Sequence, residues 1–138
     1  MNALYVMDAC ALFAFFNAEE GAKVVAGILR DARNGTAKIT MHSLNLLEVY
    51  YGVYRDVNRE EAANTLETAK QLPMTINTEF DEKMFEEAGR FKATYKVSLA
   101  DSIALAQAAV LGAKLLTSDH HEFDIVEKKE PIEFVWIR

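Results

Sequence analysis

The chain has 138 residues, of which 51% are hydrophobic and 26% are charged, with six glycines and two prolines. This composition excludes an intrinsically disordered chain, and the length is sufficient for a domain with a real buried core. The formal net charge is −6, so the field of the whole molecule repels nucleic acid unless cations or a local basic patch intervene. We expect a single domain over residues 1–138.

The sequence shows neither a membrane segment nor a disulfide framework. No apolar run approaches the ~20 residues that a bilayer-spanning helix needs. The first residues lack the basic start and the cleavage pattern of a secretory signal peptide. Cys10 is the single cysteine, which excludes an internal disulfide and suits a reducing compartment. The sequence therefore predicts a cytoplasmic protein without a membrane anchor.

In chain order, the first half alternates short strand-like runs with longer helical ones, a pattern typical of βαβ units and a parallel sheet. The first strand runs directly into an apolar helix that begins near Ala9. Ser43 is a suitable N-cap for a later helix. The elements predicted in this half are strands at 3–7, 38–41 and 74–77 and helices from residue 9, at 19–33, from residue 43 and at 59–72.

The second half carries the clearest amphipathic pattern, at 78–95, where apolar residues recur every three or four positions. Ser98 then caps a predicted helix that runs to Leu111. Asp101 lies in the first turn of that helix, where a carboxylate favours the helix dipole. The remaining predicted features are a fourth strand at 114–117, a polar cluster at 118–122 and a last strand at 134–137.

Four of the 21 acidic residues stand in apolar surroundings. Asp8 follows the first strand, and Asp119 follows the apolar strand KLLT. Glu48 lies within LNLLEVYYGV, and Asp101 lies within VSLADSIALAQAAV. The carboxyl ends of parallel strands are where open α/β sheets place their ligands. We therefore treat these four acids as candidate site residues.

Convergence of the four acids would create a strongly charged pocket, because mutual repulsion and loss of hydration raise carboxylate pKa values. Such a pocket is tolerated chiefly when cations occupy it, and hard oxygen ligands favour Mg²⁺ or Mn²⁺. Cations of this kind polarise a phosphodiester, supply a hydroxide nucleophile and stabilise the leaving oxygen. The pattern therefore indicates metal-assisted phosphodiester hydrolysis.

Each acid also has a structural interpretation. Asp8 is a suitable N-cap for the helix that follows it, and Asp101 can complete a capping box with Ser98. Asp119 can be a turn residue after its strand. Glu48 is the hardest to explain in this way, because its neighbours in the helix are apolar. Capping does not exclude metal binding, so both interpretations stay open.

Taken in order, these segments resemble the PIN-domain ribonucleases, and among them the small VapC-like toxins of toxin–antitoxin pairs. The resemblance rests on YVMDACAL with Asp8, LNLLEVYYGV with Glu48, SLADSIALAQAAVLGAKLLTSD with Asp101 and Asp119, and the trailing HHEFD. The third block is the most specific, because it joins acid, helix, glycine, strand, Thr117 and acid at family-like spacing. The similarity covers nearly the whole chain.

The resemblance implies an α/β fold, a three-layer α/β/α sandwich around a parallel sheet of four or five strands. It also implies Mg²⁺ or Mn²⁺ held by the four acids, directly or through water, and cleavage of single-stranded or looped RNA. Thr117 matches the small hydroxyl residue just before the last acid, which would support the metal ligands. Asp124 is an additional candidate acid at the edge of the site, or else a cap. His120 and His121 lie outside the family pattern and are expected in an exposed loop.

The resemblance further implies a homodimer held inactive by a cognate antitoxin protein. Independently, ALFAFF at 11–16 is apolar on every side, so this helix is either buried in the core or covered by a partner. Arg55 lies ~10.5 Å beyond Glu48 on the same helix face, within reach of an adjacent phosphate or simply solvated. The alternative to a nuclease is a non-catalytic PIN-like module that binds RNA or a protein.

Overall fold

The computed structural model describes residues 2–138. Its strands are β1 (Ala3–Met7), β2 (Ala37–His42), β3 (Thr75–Asn77), β4 (Lys114–Thr117) and β5 (Phe134–Trp136). Its helices are α1 (Ala9–Phe16), α2 (Ala22–Arg33), α3 (Ser43–Asp56), α4 (Arg59–Gln71), α5 (Glu82–Thr94), α6 (Leu99–Leu111) and α7 (His120–Lys129). Within this range, the helices show no stretch that is both long and apolar enough to cross a bilayer.

The five strands form one sheet in the order β3-β2-β1-β4-β5, and every neighbouring pair is parallel. The prediction of a parallel sheet with four or five strands is confirmed. From β1 the chain builds outwards through β2 and β3, and it then crosses to the other side of β1 to add β4 and β5. The order therefore reverses between β1 and β4, where doubly wound sheets form a crevice at the carboxyl ends of their strands.

Side chains of the central strands alternate between two hydrophobic layers, as the period of two in a strand requires. Val6 and Leu115 pack with residues of α5, α6 and α7 on one face. Met7 and Leu116 pack with residues of α1, α2 and α3 on the other face. Because both faces of the sheet are covered by helices, the predicted three-layer α/β/α sandwich is confirmed.

The N-cap predicted at Ser43 is wrong, because His42 caps α3 instead. The Nδ1 atom of His42 accepts a hydrogen bond from the backbone N–H of Leu44 at 3.1 Å. Its Nε2 lies 3.0 Å from the backbone oxygen of Glu79. A neutral imidazole with its proton on Nε2 makes both bonds, so this buried ring joins the end of β2 to the loop before α5.

The polar cluster at 118–122 does not remain a loop. It continues into α7, a helix that the sequence interpretation did not include, and the two histidines therefore begin a helix. The side chain of Asp119 accepts a hydrogen bond from the backbone N–H of Glu122 at 3.1 Å and so caps this helix. Phe123 and Val126 bury one side of α7 in the core.

Helix α1 is only partly enclosed. Four of its eight residues are buried, whereas Phe13, Phe15 and Phe16 are half-buried and pack against the hydrophobic layer of α2 and α3. Gly52 of α3 allows α1 to approach closely, because a Cβ atom at this position would lie 3.1 Å from Cζ of Phe13. Of the two alternatives for ALFAFF, the core accounts for most of its apolar surface.

Candidate functional site

Asp8 lies between β1 and α1, at the carboxyl end of the central strand, and is 2% exposed. Its Oδ1 accepts a hydrogen bond from the backbone N–H of Ala11 at 2.8 Å, so the structural interpretation of Asp8 as an N-cap holds. Its Oδ2 is also buried, and it has no hydrogen-bond partner among residues 2–138. A buried carboxylate oxygen without a partner is costly, so the cap alone does not account for this side chain.

Asp101 and Glu48 reach the same region from two helices. Asp101 lies in the first turn of α6, where its backbone N–H donates to Oγ of Ser98 at 3.1 Å, so the predicted cap at Ser98 is confirmed. Glu48 is half-buried on α3. The side chain of Asn45, one turn earlier on α3, donates to the backbone oxygen of Ala100 at 2.9 Å. This bond fixes the position of α3 against the start of α6.

Asp119 follows β4, the strand next to β1, and Thr117 lies between it and Asp8. The hydroxyl oxygen of Thr117 accepts a hydrogen bond from the backbone N–H of Asp119 at 3.0 Å. The same hydroxyl lowers the pKa of Asp8. Thr117 is fully buried, so its hydroxyl acts on the two strand-end acids from the core side of the site.

The structure adds one acid that the sequence interpretation missed. One carboxylate oxygen each from Asp101, Asp119 and Glu122 lie within 4.8 Å of one another. An oxygen of Glu122 also accepts a hydrogen bond from the backbone N–H of Ser98 at 3.3 Å. The available signal was the spacing of three between Asp119 and Glu122, which is that of a capping box at the start of a helix.

These acids surround an open cleft of about 380 Å³. Its lining includes Glu48, Asp101, Asp119 and Glu122. Asp8 is not part of the lining, but the two residues that follow it, Ala9 and Cys10, are. Among residues 2–138, none of these five acids forms an ion pair with Lys or Arg. Three of the four acids singled out from the sequence therefore line one cleft, and the fourth, Asp8, lies close enough for its charge to raise the pKa of Asp101.

Burial and mutual repulsion disfavour the charged forms of these acids. Burial raises the pKa of Asp8 to about 7, against the lowering effects of the Thr117 hydroxyl and of the backbone N–H of Ala11, and the charges of Asp119 and Glu48 add to the rise. Burial and the charges of Asp119, Asp8 and Glu48 raise the pKa of Asp101 to about 8. The pKa of Glu48 is raised by burial and by Asp119. This electrostatic pattern is one that a bound cation would reverse.

Other polar residues considered from the sequence lie outside the acid cluster. Asp124 does not line the cleft, and its carboxylate contacts Nδ1 of His120 at 2.8 Å. His121 is exposed on α7. Arg55 does line the cleft, where it pairs with Asp56 at 2.9 Å while both side chains are about two-thirds exposed, at 68% and 66%.

The donor set fits a hard divalent cation. Every candidate ligand is a carboxylate, the ligand type that Mg²⁺ and Mn²⁺ prefer over softer nitrogen or sulfur donors. A positive charge among the close carboxylates of Asp101, Asp119 and Glu122 would explain their grouping, and it would also favour the charged form of Asp8, whose buried Oδ2 has no partner among residues 2–138. Cys10 is the one soft donor on the lining, and burial raises the pKa of its thiol further from the range of a metal-binding thiolate.

Comparison with solved structures shows what this fold is similar to. VapBC from Salmonella typhimurium, solved bound to DNA, matches with a TM-score of 0.71 and 19% identity over 100% of both chains. VapBC2 from Rickettsia felis, bound to a DNA fragment from its promoter, matches with a TM-score of 0.70 and 18% identity over 96% of this chain and 97% of that one. VapC20 from Mycobacterium tuberculosis, a sarcin-ricin loop cleaving toxin, matches with a TM-score of 0.68 and 12% identity, covering 91% and 95%.

Identities this low establish a shared fold. No curated protein sequence is similar enough to count as a match. A family model named PIN domain matches residues 5–129, which include the last three residues of β1, all four predicted acids and α7. The chain therefore belongs to the PIN-domain family.

Proposed function

We propose that this chain is a single-domain, metal-dependent ribonuclease and the toxin of a toxin–antitoxin pair. The observation that carries the proposal is that Glu48, Asp101 and Asp119 line one cleft, with Asp8 close enough to raise the pKa of Asp101. Among residues 2–138, none of the four forms an ion pair with Lys or Arg. Such an arrangement lowers the free energy of unfolding unless a cation binds. PIN-domain proteins are typically nucleases, which supports a catalytic use of this cation.

Asp8, Glu48, Asp101 and Asp119 would hold Mg²⁺ or Mn²⁺, directly or through water. Glu122 is added because its carboxylate lies within 4.8 Å of those of Asp101 and Asp119, a close group that does not include Asp8 or Glu48. The bound metal would polarise a phosphodiester and activate a water molecule for its hydrolysis. Thr117 holds Asp119 in place through its hydroxyl, and the same hydroxyl lowers the pKa of Asp8.

Among residues 2–138, Arg55 is the one basic side chain that lines the cleft. Its ion pair with Asp56 is solvent-exposed, and exposed pairs of this kind contribute little to stability. Arg55 can therefore exchange Asp56 for a phosphate of the substrate at low cost. We assign it the role of a phosphate contact at the rim of the cleft.

RNA is the proposed substrate, and an antitoxin is the proposed partner. One similar structure is a toxin described as cleaving the sarcin-ricin loop, and two others are VapBC assemblies. Helix α3 exposes a row of large apolar side chains beside the cleft, namely Leu47, Tyr51 and Tyr54. An apolar row of this size is typical of an interaction surface, and it supports a homodimer, antitoxin binding, or both. Function inside the cytoplasm follows from an RNA target.

The test is cleavage of a structured RNA pool by the wild-type protein and by Asp101→Asn, each with Mg²⁺, with Mn²⁺ and with a chelator. Metal-dependent cleavage that is lost in the variant supports the nuclease proposal and the assignment of Asp101 to the metal site. Equal cleavage by both proteins would indicate a contaminating nuclease and remove the enzyme proposal.

The non-catalytic alternative is tested when neither protein cleaves. Calorimetric titration with Mn²⁺ then decides between a nuclease and a binding module. If Mn²⁺ binds the wild type and binds Asp101→Asn more weakly, the metal site stands and the RNA sequence that is cleaved is still to be found. No binding to either protein would favour a PIN-like binding module. Size-exclusion chromatography with light scattering tests the homodimer, and a monomeric mass at high protein concentration contradicts it.

A further inference from the structure

An aromatic ladder, formed by Phe134, Trp136 and His120, stands at the carboxyl end of β5. The ring centroids of Phe134 and Trp136 are 5.4 Å apart, with 11° between the ring planes. Those of Trp136 and His120 are 3.8 Å apart, with 13° between the planes. Phe134 is buried, Trp136 is half-buried and His120 is exposed. The ladder therefore runs from the core to the surface and ends at His120.

The outermost ring is held in place on three sides. Nδ1 of His120 lies 2.8 Å from Oδ1 of Asp124, and Nε2 lies 2.9 Å from the backbone oxygen of Arg138. Trp136, which covers one face of the ring, donates from Nε1 to Glu127 at 2.9 Å. Nevertheless the His120 side chain is 48% exposed. Both nitrogens and one face are occupied, which leaves the opposite face and the carbon edges of the ring as the exposed part.

The ladder lies beside the acid cluster. His120 directly follows Asp119 and precedes Glu122 by two residues. Trp136 is paired in register with Thr117, the residue that supports Asp8 and Asp119. None of the three ladder residues lines the cleft itself, so the open face of His120 is a platform outside the cleft, which a nucleic-acid strand would meet beyond the carboxylates.

We infer that the open face of His120 stacks on a base of the single-stranded RNA, outside the cleft in which the phosphate would bind. This inference rests on the proposed function, because it takes RNA as the substrate. Proteins that bind single strands use exposed aromatic rings, His among them, as stacking platforms that accept any base. A ring already fixed by its neighbours loses little entropy on binding. Stacking also supplies affinity that a chain of net charge −6 does not gain from phosphates.

Three substitutions separate base stacking from a role of His120 in anchoring the end of the chain. His120→Ala removes the ring, and His120→Asn keeps a polar side chain without an extended ring. His120→Phe keeps a ring on Trp136 but loses both hydrogen bonds. His121→Ala is the matched control, because His121 is the neighbouring exposed histidine on α7. Stacking predicts that only the first two variants lose RNA affinity, by about 5- to 150-fold, the range measured for one stacked base.

The experiment titrates a short single-stranded RNA into the full chain in the presence of Mg²⁺. The chain carries Asp101→Asn, so that cleavage is suppressed. Trp136 is the only tryptophan, and its fluorescence reports on the ring that stacks against it. We expect a saturable fluorescence change whose midpoint moves to higher RNA concentration with His120→Ala and His120→Asn. The midpoint should stay within about threefold of the parent with His120→Phe and His121→Ala.

The outcomes separate this inference from the proposed function. Equal midpoints for all variants, or a His120→Phe variant as weak as His120→Ala, would overturn stacking while metal-dependent cleavage still stands. If RNA binding depends on the His120 ring but the protein never cleaves RNA, the stacking inference stands and the nuclease proposal fails. If the Asp101→Asn protein binds no RNA, the KM values of the cleaving protein with each His120 variant give the same ranking. A protein that neither binds nor cleaves RNA would overturn both the stacking inference and the proposed nuclease function.

Discussion

Asp119 donates its backbone N–H to the hydroxyl oxygen of Thr117 at 3.0 Å, and this bond fixes one strand-end acid to the strand beneath it. Thr117→Val keeps the shape of the side chain but removes the acceptor for Asp119 and the hydroxyl that lowers the pKa of Asp8. Because residues behind metal ligands orient them, we expect Mn²⁺ affinity to fall by about 10- to 100-fold.

Calorimetric titration with Mn²⁺ measures this loss directly, and Thr117→Ser is the matched control because it restores the hydroxyl. Serine should recover most of the affinity, although the missing methyl group leaves a small cavity. If valine and serine bind Mn²⁺ equally well, Thr117 is only a core residue of β4.

Removal of one repelling charge should stabilise the metal-free protein, so Asp8→Asn is expected to unfold at higher denaturant concentration than the wild type in a chelator. Asn retains the ability to cap α1. Each unit of pKa shift corresponds to about 1.4 kcal/mol, so the rise from 3.8 to about 7 sets a limit of about 4 kcal/mol. A less stable variant in the chelator would mean that the cap, and not the charge, dominates.

The same shift predicts a pH dependence with a definite sign. A carboxyl whose pKa is raised in the folded state favours folding at low pH, and this contribution is lost as the pH rises from about 3.8 to about 7. The advantage of Asp8→Asn over the wild type should therefore be less than half as large at pH 5 as at pH 8, both in a chelator. With saturating Mn²⁺ at pH 8 the order should reverse, because the metal binds the wild type more tightly. The difference in denaturant midpoint between Asp8→Asn and the wild type, taken at the two pH values, measures this dependence.

Glu122 and Asp124 provide a matched pair of acids on the same helix. Glu122 lies within 4.8 Å of Asp101 and Asp119, whereas Asp124 contacts His120 and is 57% exposed. We expect Glu122→Gln to reduce the rise in melting temperature caused by Mn²⁺, and Asp124→Asn to leave it unchanged. Gln keeps an oxygen that can accept from the N–H of Ser98, so α6 and α7 stay joined in the variant. Equal rises in both variants would remove Glu122 from the metal site.

Strand and helix periodicity predicted the sheet well, because apolar strands such as 3–7 and 114–117 have few alternative uses. The four acids stood out because each interrupts an apolar segment, where an unpaired charge is costly. Glu122 could not be found in this way, since it lies among polar residues and reaches the cleft only because α7 begins at His120. The cap at His42 was missed because it depends on a distant backbone oxygen, that of Glu79, which fixes the tautomer of the imidazole.

Gly21 is the position where we expect a single added methyl group to cost the most stability. Its φ is +96°, and a Cβ atom there would lie 2.7 Å from the backbone oxygen of Ile137. Gly35 has a φ of +84° but an open surrounding, with nothing within 4 Å of such an atom. Gly35→Ala should therefore cost only the backbone strain of about 1–2 kcal/mol. Gly21→Ala should cost about 2–5 kcal/mol, because displacement of the chain end is added to the strain.

Urea unfolding of both variants in parallel tests this difference between the two glycines. The close contact joins the start of α2 to the segment after β5, which also carries Arg138 and its ion pair with Glu19 at 3.1 Å. Gly21→Ala should therefore also change the fluorescence of Trp136. The reason is that the backbone oxygen of Arg138, two residues further along the chain, contacts the His120 ring that stacks on Trp136. Equal losses of stability in the two variants would mean that the end of the chain moves aside freely, and that the ladder at β5 is not braced from this side.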